Sequence, residues 1–459
     1  MLPTRVTRST RRAGAALLAA IALGVAGCTS EAPAHAPTAP PPVSDETAQA
    51  LADLESQLTW TPQAARLELG VTHTQDSLDP EEPDEAVARG REILSDGGGV
   101  WQNHHLMGFG TLNPEPSPGE YDWTVLDRRM ELTRQTGDRT VLTLCCAPDW
   151  MKGGQPGETD WTRLEAAPDP EFFDDFARLS AIAVERYPQI ERVLVWNELK
   201  GFYRSDENRW DYEGYTELYN QVYTAVKQVR PDVQIGGPYV VLTSLDPGQP
   251  DASDIGGPWG VADQRALDVV EYWLDNNVGA EFLAIDGGTA TRQGTLAMPL
   301  DQGAQKFADL TRWVRERSRL AIWWAEFYPD VPEGEQGGPS SPASAAATLA
   351  SVAAFAESGV SIALLWGPQG HGLEYAALWT DSTVPEGGQP TPLTEAWRWL
   401  VPRLAAGDVE IGRSPTLPLL AFRGPDGAVV VNLTGEDVVV AEGTDPLPGW
   451  AIVQTPDER

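Results

Sequence analysis

Two short segments of the chain each place a glutamate directly after an apolar run. They are Val195-Trp196-Asn197-Glu198 and Trp323-Trp324-Ala325-Glu326. A carboxylate is costly to bury and is rarely needed for packing, so its position at the exit of a strand-like run indicates a chemical role. Cleavage of a glycosidic bond requires two carboxyl groups that flank the bond. Glu198 and Glu326 are therefore candidate catalytic residues, and the alternative is that each is a buried ion-pair partner.

The region 61–403 alternates apolar, strand-like runs with amphipathic stretches. Strands are predicted at 67–72, 104–109, 140–145, 192–196, 233–238, 282–286, 320–325 and 361–366. Helices are predicted at 213–229, 262–276, 302–317 and 343–357, where apolar residues recur at helical spacing. This pattern predicts an α/β fold, a (β/α)8 TIM barrel whose strand ends share one face. The alternative is a doubly wound sheet, which would favour a glycine-rich phosphate-binding turn after the first strand; the sequence has none there.

The last segment, 404–459, changes to short strand-like runs. We predict strands at 419–422, 429–433 and 438–440, the first two joined in a hairpin by Pro425-Asp426-Gly427. A segment of this length cannot easily form its own core. We therefore expect a small C-terminal β-module packed on the barrel.

The first segment of the chain predicts where the protein is located. Residues 1–27 carry four arginines, an apolar stretch and small residues, as a signal peptide does. Cys28 follows at a position that resembles the bacterial lipobox, so we expect lipidation there; ordinary secretion is the alternative. Residues 28–60 are rich in proline and alanine and predict a tether. The expected location is extracytoplasmic, anchored to the cell membrane as a lipoprotein.

Charge and cysteine content limit the partners. The chain has 67 acidic and 33 basic residues, a formal net charge of -34, which disfavours nucleic acid and a polybasic membrane patch. No cysteine and histidine cluster has the spacing of a metal site, so neither a metal nor another cofactor is expected.

Cys145 and Cys146 are adjacent in a strand-like run. Since neighbouring strand residues face opposite sides, two buried thiols are predicted, with a vicinal disulfide as the alternative.

Several polar and aromatic side chains follow the predicted barrel strands. Loops after neighbouring strands meet at one face, and sugar hydroxyls need donors and acceptors, which histidine supplies. Packed or surface histidines, or a metal site, are the alternatives. The candidates for substrate binding are His73, His104, His105 and His371, with Trp150 and Tyr328 as aromatic candidates.

The glutamate segments resemble strand-end motifs of clan A glycoside hydrolases. Trp196-Asn197-Glu198 resembles the motif that closes the fourth barrel strand, and Trp324-Ala325-Glu326-Phe327 resembles the nucleophile motif of the seventh. Other segments are similar to family 39, the β-xylosidase and iduronidase group: Tyr121-Asp122-Trp123, Leu126-Asp127, Ala147-Pro148-Asp149-Trp150-Met151, Tyr219-Asn220, Arg230-Pro231-Asp232 and Gly236-Gly237-Pro238. The sequence departs from that family at Asp286-Gly287-Gly288, where a histidine or tyrosine is usual, and at Asn103-His104-His105, where the clan has an arginine.

This resemblance implies roles for particular residues. Hydrolysis would retain the anomeric configuration, with Glu198 as general acid/base and Glu326 as nucleophile. Asn197 would bind the sugar 2-hydroxyl, unless it only forms a turn. Trp366 would form the floor of the subsite for the reacting sugar, unless it is a core residue.

The expected function is that of a retaining glycosidase acting by double displacement on a β-linked glycan or oligosaccharide, in a β-xylosidase-like manner. One alternative is a glycan- or solute-binding lipoprotein, either two-lobed or a non-catalytic barrel. Another is an anchored structural protein of the envelope. Substitution of each glutamate separates them, because only an enzyme loses turnover while keeping its fold.

Overall fold

A computed structural model describes residues 54, 57–96, 100–332, 338–371, 375–441 and 444–456. The predicted signal peptide, Cys28 and most of the predicted tether lie outside these residues. Within them, no helix combines the length and the apolar character that a membrane span requires.

Eight parallel strands close into a barrel, which confirms the predicted (β/α)8 class. Strands are numbered in chain order. Around the barrel they are β2 (Glu68–Thr72), β3 (Trp101–His105), β4 (Arg139–Leu144), β5 (Ile190–Val195), β8 (Gln234–Val241), β12 (Phe282–Asp286), β13 (Ala321–Trp324) and β14 (Ile362–Trp366). β14 pairs with β2 and closes the ring.

Helices alternate with these strands and cover the outside of the barrel. Their bounds are α1 (Asp84–Ser95), α2 (Thr124–Thr136), α3 (Phe173–Arg186), α4 (Tyr212–Val229), α5 (Gln264–Asn276), α6 (Leu300–Arg317), α7 (Pro342–Ser358) and α8 (Thr394–Ala406). The four helices predicted by apolar spacing match α4, α5, α6 and α7 to within two residues at each end. Short extra strands extend two loops at the carboxyl ends of the barrel strands: β6 (Tyr203–Arg204) and β7 (Arg209–Trp210) after β5, and β9 (Ser244–Leu245), β10 (Ala252–Gly257) and β11 (Gly260–Asp263) after β8.

The second barrel strand was predicted three residues too late, at 104–109. The structure has β3 at Trp101–His105. The prediction followed the apolar residues Leu106 and Met107, whereas β3 itself is rich in polar side chains. These polar groups are buried but paired: Asn103 donates to Thr72 at 3.1 Å, and Gln102 donates to Thr136 at 2.8 Å. A buried polar strand is stable when each group has such a partner, and a hydrophobic pattern cannot reveal it.

Aromatic packing fills the lower part of the barrel. The rings of Phe282 and Trp323 stack with centroids 3.9 Å apart, and Trp101 lies 6.2 Å from Trp323. A side chain at Gly236 would place its Cβ 2.3 Å from the Phe282 ring, so glycine is needed for this close approach. Among the described residues these rings fill the lower barrel, so a ligand site is expected at the carboxyl ends of the strands.

The C-terminal module is a five-stranded antiparallel sheet. Its order is β1 (Thr59–Pro62), β15 (Glu410–Arg413), β16 (Leu419–Gly424), β17 (Gly427–Asn432) and β18 (Ile452–Pro456). Alternate residues of β16 divide between two cores: Leu420 and Phe422 join the barrel core, while Leu419 and Ala421 face a smaller cluster. The sheet thus packs on the barrel, as predicted, and it also includes a strand that begins inside the predicted tether.

The module agrees with the prediction in one further detail and differs from it in another. The hairpin of β16 and β17 forms at Pro425-Asp426, as expected. The predicted strand at 438–440 is not one, since only Val438 makes a bridge, to Leu447. Its apolar residues Val438 and Val440 cover the outer face of the sheet instead, which is why they resemble a strand by composition.

Cys145 and Cys146 form a disulfide with each other. The prediction of two separate thiols is therefore wrong. It assumed that both residues belong to a strand, but β4 ends at Leu144. Both cysteines are fully buried beside the carboxyl ends of the barrel strands.

Candidate functional site

Three acidic side chains meet at the carboxyl end of the barrel. Glu198 follows β5, Asp286 ends β12 and Glu326 follows β13. Each offers a carboxylate oxygen that lies within 4.8 Å of the others. Asp286 and Glu326 are buried, and the side chain of Glu198 is 13% exposed. The structure therefore brings together the two predicted glutamates and adds a third acid.

The backbone turns sharply where it delivers Glu198. Trp196, Glu198 and Leu199 have φ angles of 67°, 52° and 51°, in the left-handed region. This conformation costs a non-glycine residue roughly 1–2 kcal/mol. The indole of Trp196 donates to the Lys200 carbonyl at 2.8 Å and closes the turn. Such strain is held by surrounding contacts and is concentrated at functional sites.

Two phenols hold the carboxylate of Glu326. The hydroxyl of Tyr239 donates to one oxygen and the hydroxyl of Tyr328 donates to the other. Burial raises the pKa of Glu326 well above its usual range, the charge of Glu198 raises it further, and the Tyr239 hydrogen bond opposes the rise. The pKa of Tyr239 is itself raised by burial and by the charge of Glu326, so this phenol stays a donor.

Lys200 forms an ion pair with Glu198. Lys200 Nζ lies 2.8 Å from Glu198 Oε2 and 2.6 Å from Glu165 Oε1. Burial lowers the pKa of Lys200, but the charges of Glu198 and Glu165 outweigh burial and raise it overall. A fixed positive charge therefore stands beside the candidate acid/base.

One wall of the site combines Asn197 with aromatic rings. His105 Nε2 lies 3.5 Å from Asn197 Oδ1, and the amide nitrogen of Asn197 has no partner among the described residues. Burial lowers the pKa of His105 to about 3, so the ring is neutral. The Trp366 ring meets His105 and Phe109 edge to face, with centroids 5.9 Å and 5.4 Å away. A buried, unpaired amide donor beside an aromatic surface can receive a sugar hydroxyl and the apolar face of a ring.

His73 and His104 lie away from the acids, between the barrel wall and α2. Their rings stack with centroids 4.7 Å apart. His73 bonds to Ser77 at 2.8 Å and to Gln102 at 3.0 Å, and His104 bonds to Thr133 at 2.8 Å. Burial lowers the pKa of His73 to about 3 and that of His104 well below its usual value. His73 and His104 are therefore packed histidines, which is the alternative to substrate binding.

The other two candidates also have partners elsewhere. His371 is exposed and lies 3.1 Å from Asp381, whose hydrogen bond raises the pKa of the imidazole. Trp150 is buried and donates to the Glu115 carbonyl at 2.9 Å. Among the described residues, no hydrogen bond, ion pair or ring contact joins His371 or Trp150 to the three acids.

Sequence reasoning left four side chains out of the site. Asp286 carries the same signal as the glutamates, an acid at the end of an apolar strand. Tyr239 and Phe109 carry no such signal, because each becomes a site residue only through contacts between separate strand ends. Lys200 lies two residues after Glu198, but its residue type does not show that its side chain turns back to that glutamate.

A cation is the remaining possibility for three clustered acids, since hard cations bind carboxylate oxygens. The residues present do not favour it. Lys200 already compensates Glu198, and two phenols already donate to Glu326. The protein's own groups thus satisfy two of the three carboxylates.

No family model and no curated protein sequence matches the chain. Several solved structures do match it in fold. A monomeric β-xylosidase from Caulobacter crescentus CB15 has a TM-score of 0.54 at 13% identity, covering 85% of this chain and 78% of that one. A family 39 glycoside hydrolase from the gut symbiont Bacteroides cellulosilyticus WH2 has a TM-score of 0.52 at 16% identity, covering 85% and 79%. A conserved exported protein from Bacteroides fragilis has a TM-score of 0.56 at 11% identity, covering 86% and 96%.

The structural neighbours therefore include family 39 β-xylosidases and related glycosidases. At these identities the likeness establishes the shared barrel fold. The chemistry must be argued from the residues of this chain, since one fold supports many activities.

Proposed function

We propose that this protein is a glycoside hydrolase that cleaves O-glycosidic bonds in a β-linked glycan or oligosaccharide, with retention of the anomeric configuration. The observation that carries the proposal is the meeting of Glu198 and Glu326, from separate strand ends, at the carboxyl end of the barrel. Oxygens within 4.8 Å support retention, because retaining enzymes place their carboxyl groups about 5–5.5 Å apart and inverting enzymes about 6.5–9.5 Å.

The two glutamates have different surroundings, which supports different roles. Glu326 is buried and held by two phenols, so its oxygen is fixed in position to attack the anomeric carbon. Glu198 is partly exposed and can reach the leaving oxygen and then a water molecule. In the first step Glu198 gives a proton to the leaving oxygen while Glu326 forms a glycosyl ester. In the second step Glu198 takes a proton from water, which attacks the ester and frees Glu326.

Neighbouring groups form the subsite in this proposal. The free amide of Asn197 donates toward the sugar 2-hydroxyl, and His105 holds the amide in place. Trp366 and Phe109 offer an apolar wall to the sugar ring. A β-xyloside is the first substrate to test, because solved structures with this fold include β-xylosidases.

We further propose that the enzyme works outside the cytoplasm, held at the cell membrane by a lipid on Cys28. Residues 1–27 and the small residues before Cys28 support this location. The proline- and alanine-rich segment that follows would let the barrel reach a glycan at a distance from the membrane.

The proposed activity can be tested with the chain from residue 46 onward. We would assay aryl β-glycosides and α-L-arabinofuranosides with the wild type, Glu326→Ala and Glu198→Ala. We expect Glu326→Ala to abolish turnover and azide to restore it in Glu198→Ala, because azide can attack the glycosyl ester without the base that water needs. If the wild type binds a glycan but never cleaves one, the protein is the non-catalytic barrel that is the main alternative.

A further inference from the structure

Asp286 is the one acid of the three that the protein leaves uncompensated. It is completely buried at the end of β12. Neither of its oxygens has a hydrogen-bond donor among the described residues, and no ion pair reaches it there. An ionised carboxylate without donors or a cation is strongly destabilised in a protein interior.

The two glutamates differ from Asp286 in this respect. Glu198 has Lys200 at 2.8 Å, and Glu326 has the hydroxyls of Tyr239 and Tyr328. If the three acids share fewer than three negative charges, the charges belong on the glutamates. The titratable and charged groups that face Asp286 are Glu198, Lys200, Tyr239, Glu326 and Lys306.

The short distance between Asp286 and Glu198 indicates where the proton lies. Each offers a carboxylate oxygen within 4.8 Å of the other, and two carboxyl groups this close favour one proton between them over two negative charges. Burial, followed by the charges of Glu198 and Glu326, raises the pKa of Asp286 well above its usual range. A buried carboxyl group beside like charges is kept neutral in the same way in known acid/base sites.

We propose that Asp286 stores the proton of the catalytic site and passes it through Glu198 to the leaving group. This inference rests on the proposed glycosidase function. Asp286 acts through Glu198 and does not touch the substrate, so it is a positioning and relay residue.

The charges balance at each step. In the resting enzyme Asp286 holds the proton, and Glu198 and Glu326 are charged. When the substrate binds, Asp286 passes the proton to Glu198, which then acts as the general acid. As Glu326 forms the bond to the anomeric carbon, its charge is lost, Glu198 gives the proton to the leaving oxygen, and Asp286 and Glu198 carry the two charges. When water cleaves the ester, Glu198 takes the water proton and returns it to Asp286, and Glu326 regains its charge. The site therefore carries two negative charges throughout, which avoids the cost of three.

A spectroscopic experiment tests the stored proton without any substrate. We would record infrared spectra of the full chain at neutral pH and subtract the spectrum of Asp286→Asn. We expect the difference to contain the C=O band of a neutral carboxylic acid. The matched control is Asp330→Asn, whose carboxylate accepts hydrogen bonds from Thr289 and Ala290, and which should remove a carboxylate band instead.

A kinetic experiment tests the relay. Asparagine has the shape of neutral aspartic acid but cannot release a proton. We expect Asp286→Asn to lower kcat about 10- to 100-fold on a disaccharide, whose leaving group needs a proton. Dinitrophenyl glycosides of the same sugar need no proton, so their kcat should stay within about threefold of the wild type. Disaccharide activity should recover partly at lower pH, where Glu198 takes its proton from solvent.

Different outcomes separate this inference from the proposed function. Equal losses on both substrates with an unchanged pH profile would overturn the relay, as would a carboxylate band for Asp286 at neutral pH. In either case, loss of turnover in Glu326→Ala would still support the glycosidase. If Asp286→Asn does not fold, a 13C titration of the aspartate-labelled wild type decides, because one carboxyl signal must remain that of a neutral acid at neutral pH.

Discussion

At the scale of single residues, the chemistry of the site depends on how each acid is compensated. Glu326 has two phenol donors, Glu198 has Lys200, and Asp286 has neither. Hydrogen bonds to a charged group contribute about 1.5–3 kcal/mol each. These differences, rather than the identity of the acids, support the roles that we propose for them as nucleophile, acid/base and proton store.

Removal of the Tyr239 hydroxyl tests the support of Glu326. We expect Tyr239→Phe to lower kcat/KM about 10- to 100-fold, because one donor to the carboxylate is lost. That donor opposes the rise in the pKa of Glu326, so without it this pKa should rise further. The acid limb of the pH profile of kcat/KM should therefore move to higher pH.

The matched control for this variant is Tyr203→Phe, which removes an exposed phenol on the β6 hairpin. Its pH profile should equal that of the wild type. An acid limb that stays in place in Tyr239→Phe would show that the phenol does not stabilise the carboxylate.

Sequence could predict the site residues that carry their own signal. Glu198 and Glu326 each follow an apolar run and can be predicted from spacing. Lys200 and Tyr239 cannot. The barrel prediction brings the ends of β5, β8 and β13 to one face, but residue type and spacing do not show which side chains there contact the glutamates. The contacts of Lys200 with Glu165 and of Tyr239 with Glu326 join residues 35 and 87 positions apart.

At the scale of elements, β3 is a polar strand whose two faces contact different parts of the molecule. Its inward residues Asn103 and His105 face the barrel interior and the site. Its outward residues Gln102 and His104 face α2, where they form a buried hydrogen-bonded cluster with His73. The hydrophobic pattern placed this strand too late, since alternation of two polar faces leaves no apolar signal.

The buried histidines predict a pH dependence of stability. His73 has a pKa of about 3 in the folded chain and about 6.5 when unfolded, so the unfolded state binds more protons between these values. Its contribution to stability is therefore complete above pH ~6.5 and declines as the pH falls toward 3. In that window we expect the wild type to lose stability relative to His73→Gln by about 1.4 kcal/mol per pH unit.

Urea unfolding from neutral pH down to mildly acidic pH measures this difference. The control is His371→Gln, because the pKa of His371 is raised by Asp381 and its contribution has the opposite sign. Parallel stability curves for the wild type and His73→Gln would contradict a neutral, buried His73.

At the scale of the whole molecule, the barrel and the C-terminal sheet share one core. The sheet takes its first strand from residues before the barrel and the others from residues after it. Helix α7 lies against β15 and β17 and is rich in buried alanine and serine, which allow close approach. Sequence predicted a module packed on the barrel from its length alone, but it could not show that β1 would join it, because pairing of distant strands has no local signal.

The proposed membrane anchor predicts a simple change in location. In a bacterial host that processes lipoproteins, the full chain should take up labelled fatty acid and sediment with membranes. We expect Cys28→Ser to lose the label and the membrane association, because the acyl chains contribute roughly 0.8 kcal/mol per buried methylene. Cys145 and Cys146 are joined in a disulfide, so the substitution should leave the activity of the barrel unchanged. Label that persists in Cys28→Ser would contradict lipidation at this residue.

The central claim, retaining hydrolysis by Glu198 and Glu326, is tested most directly by the anomer that is released first. Proton NMR would follow the wild type on its best β-glycoside before the product equilibrates in solution. Double displacement predicts that the β-anomer appears first and that Glu326→Ala releases none. Release of the α-anomer first, or release that continues in Glu326→Ala, would contradict the account.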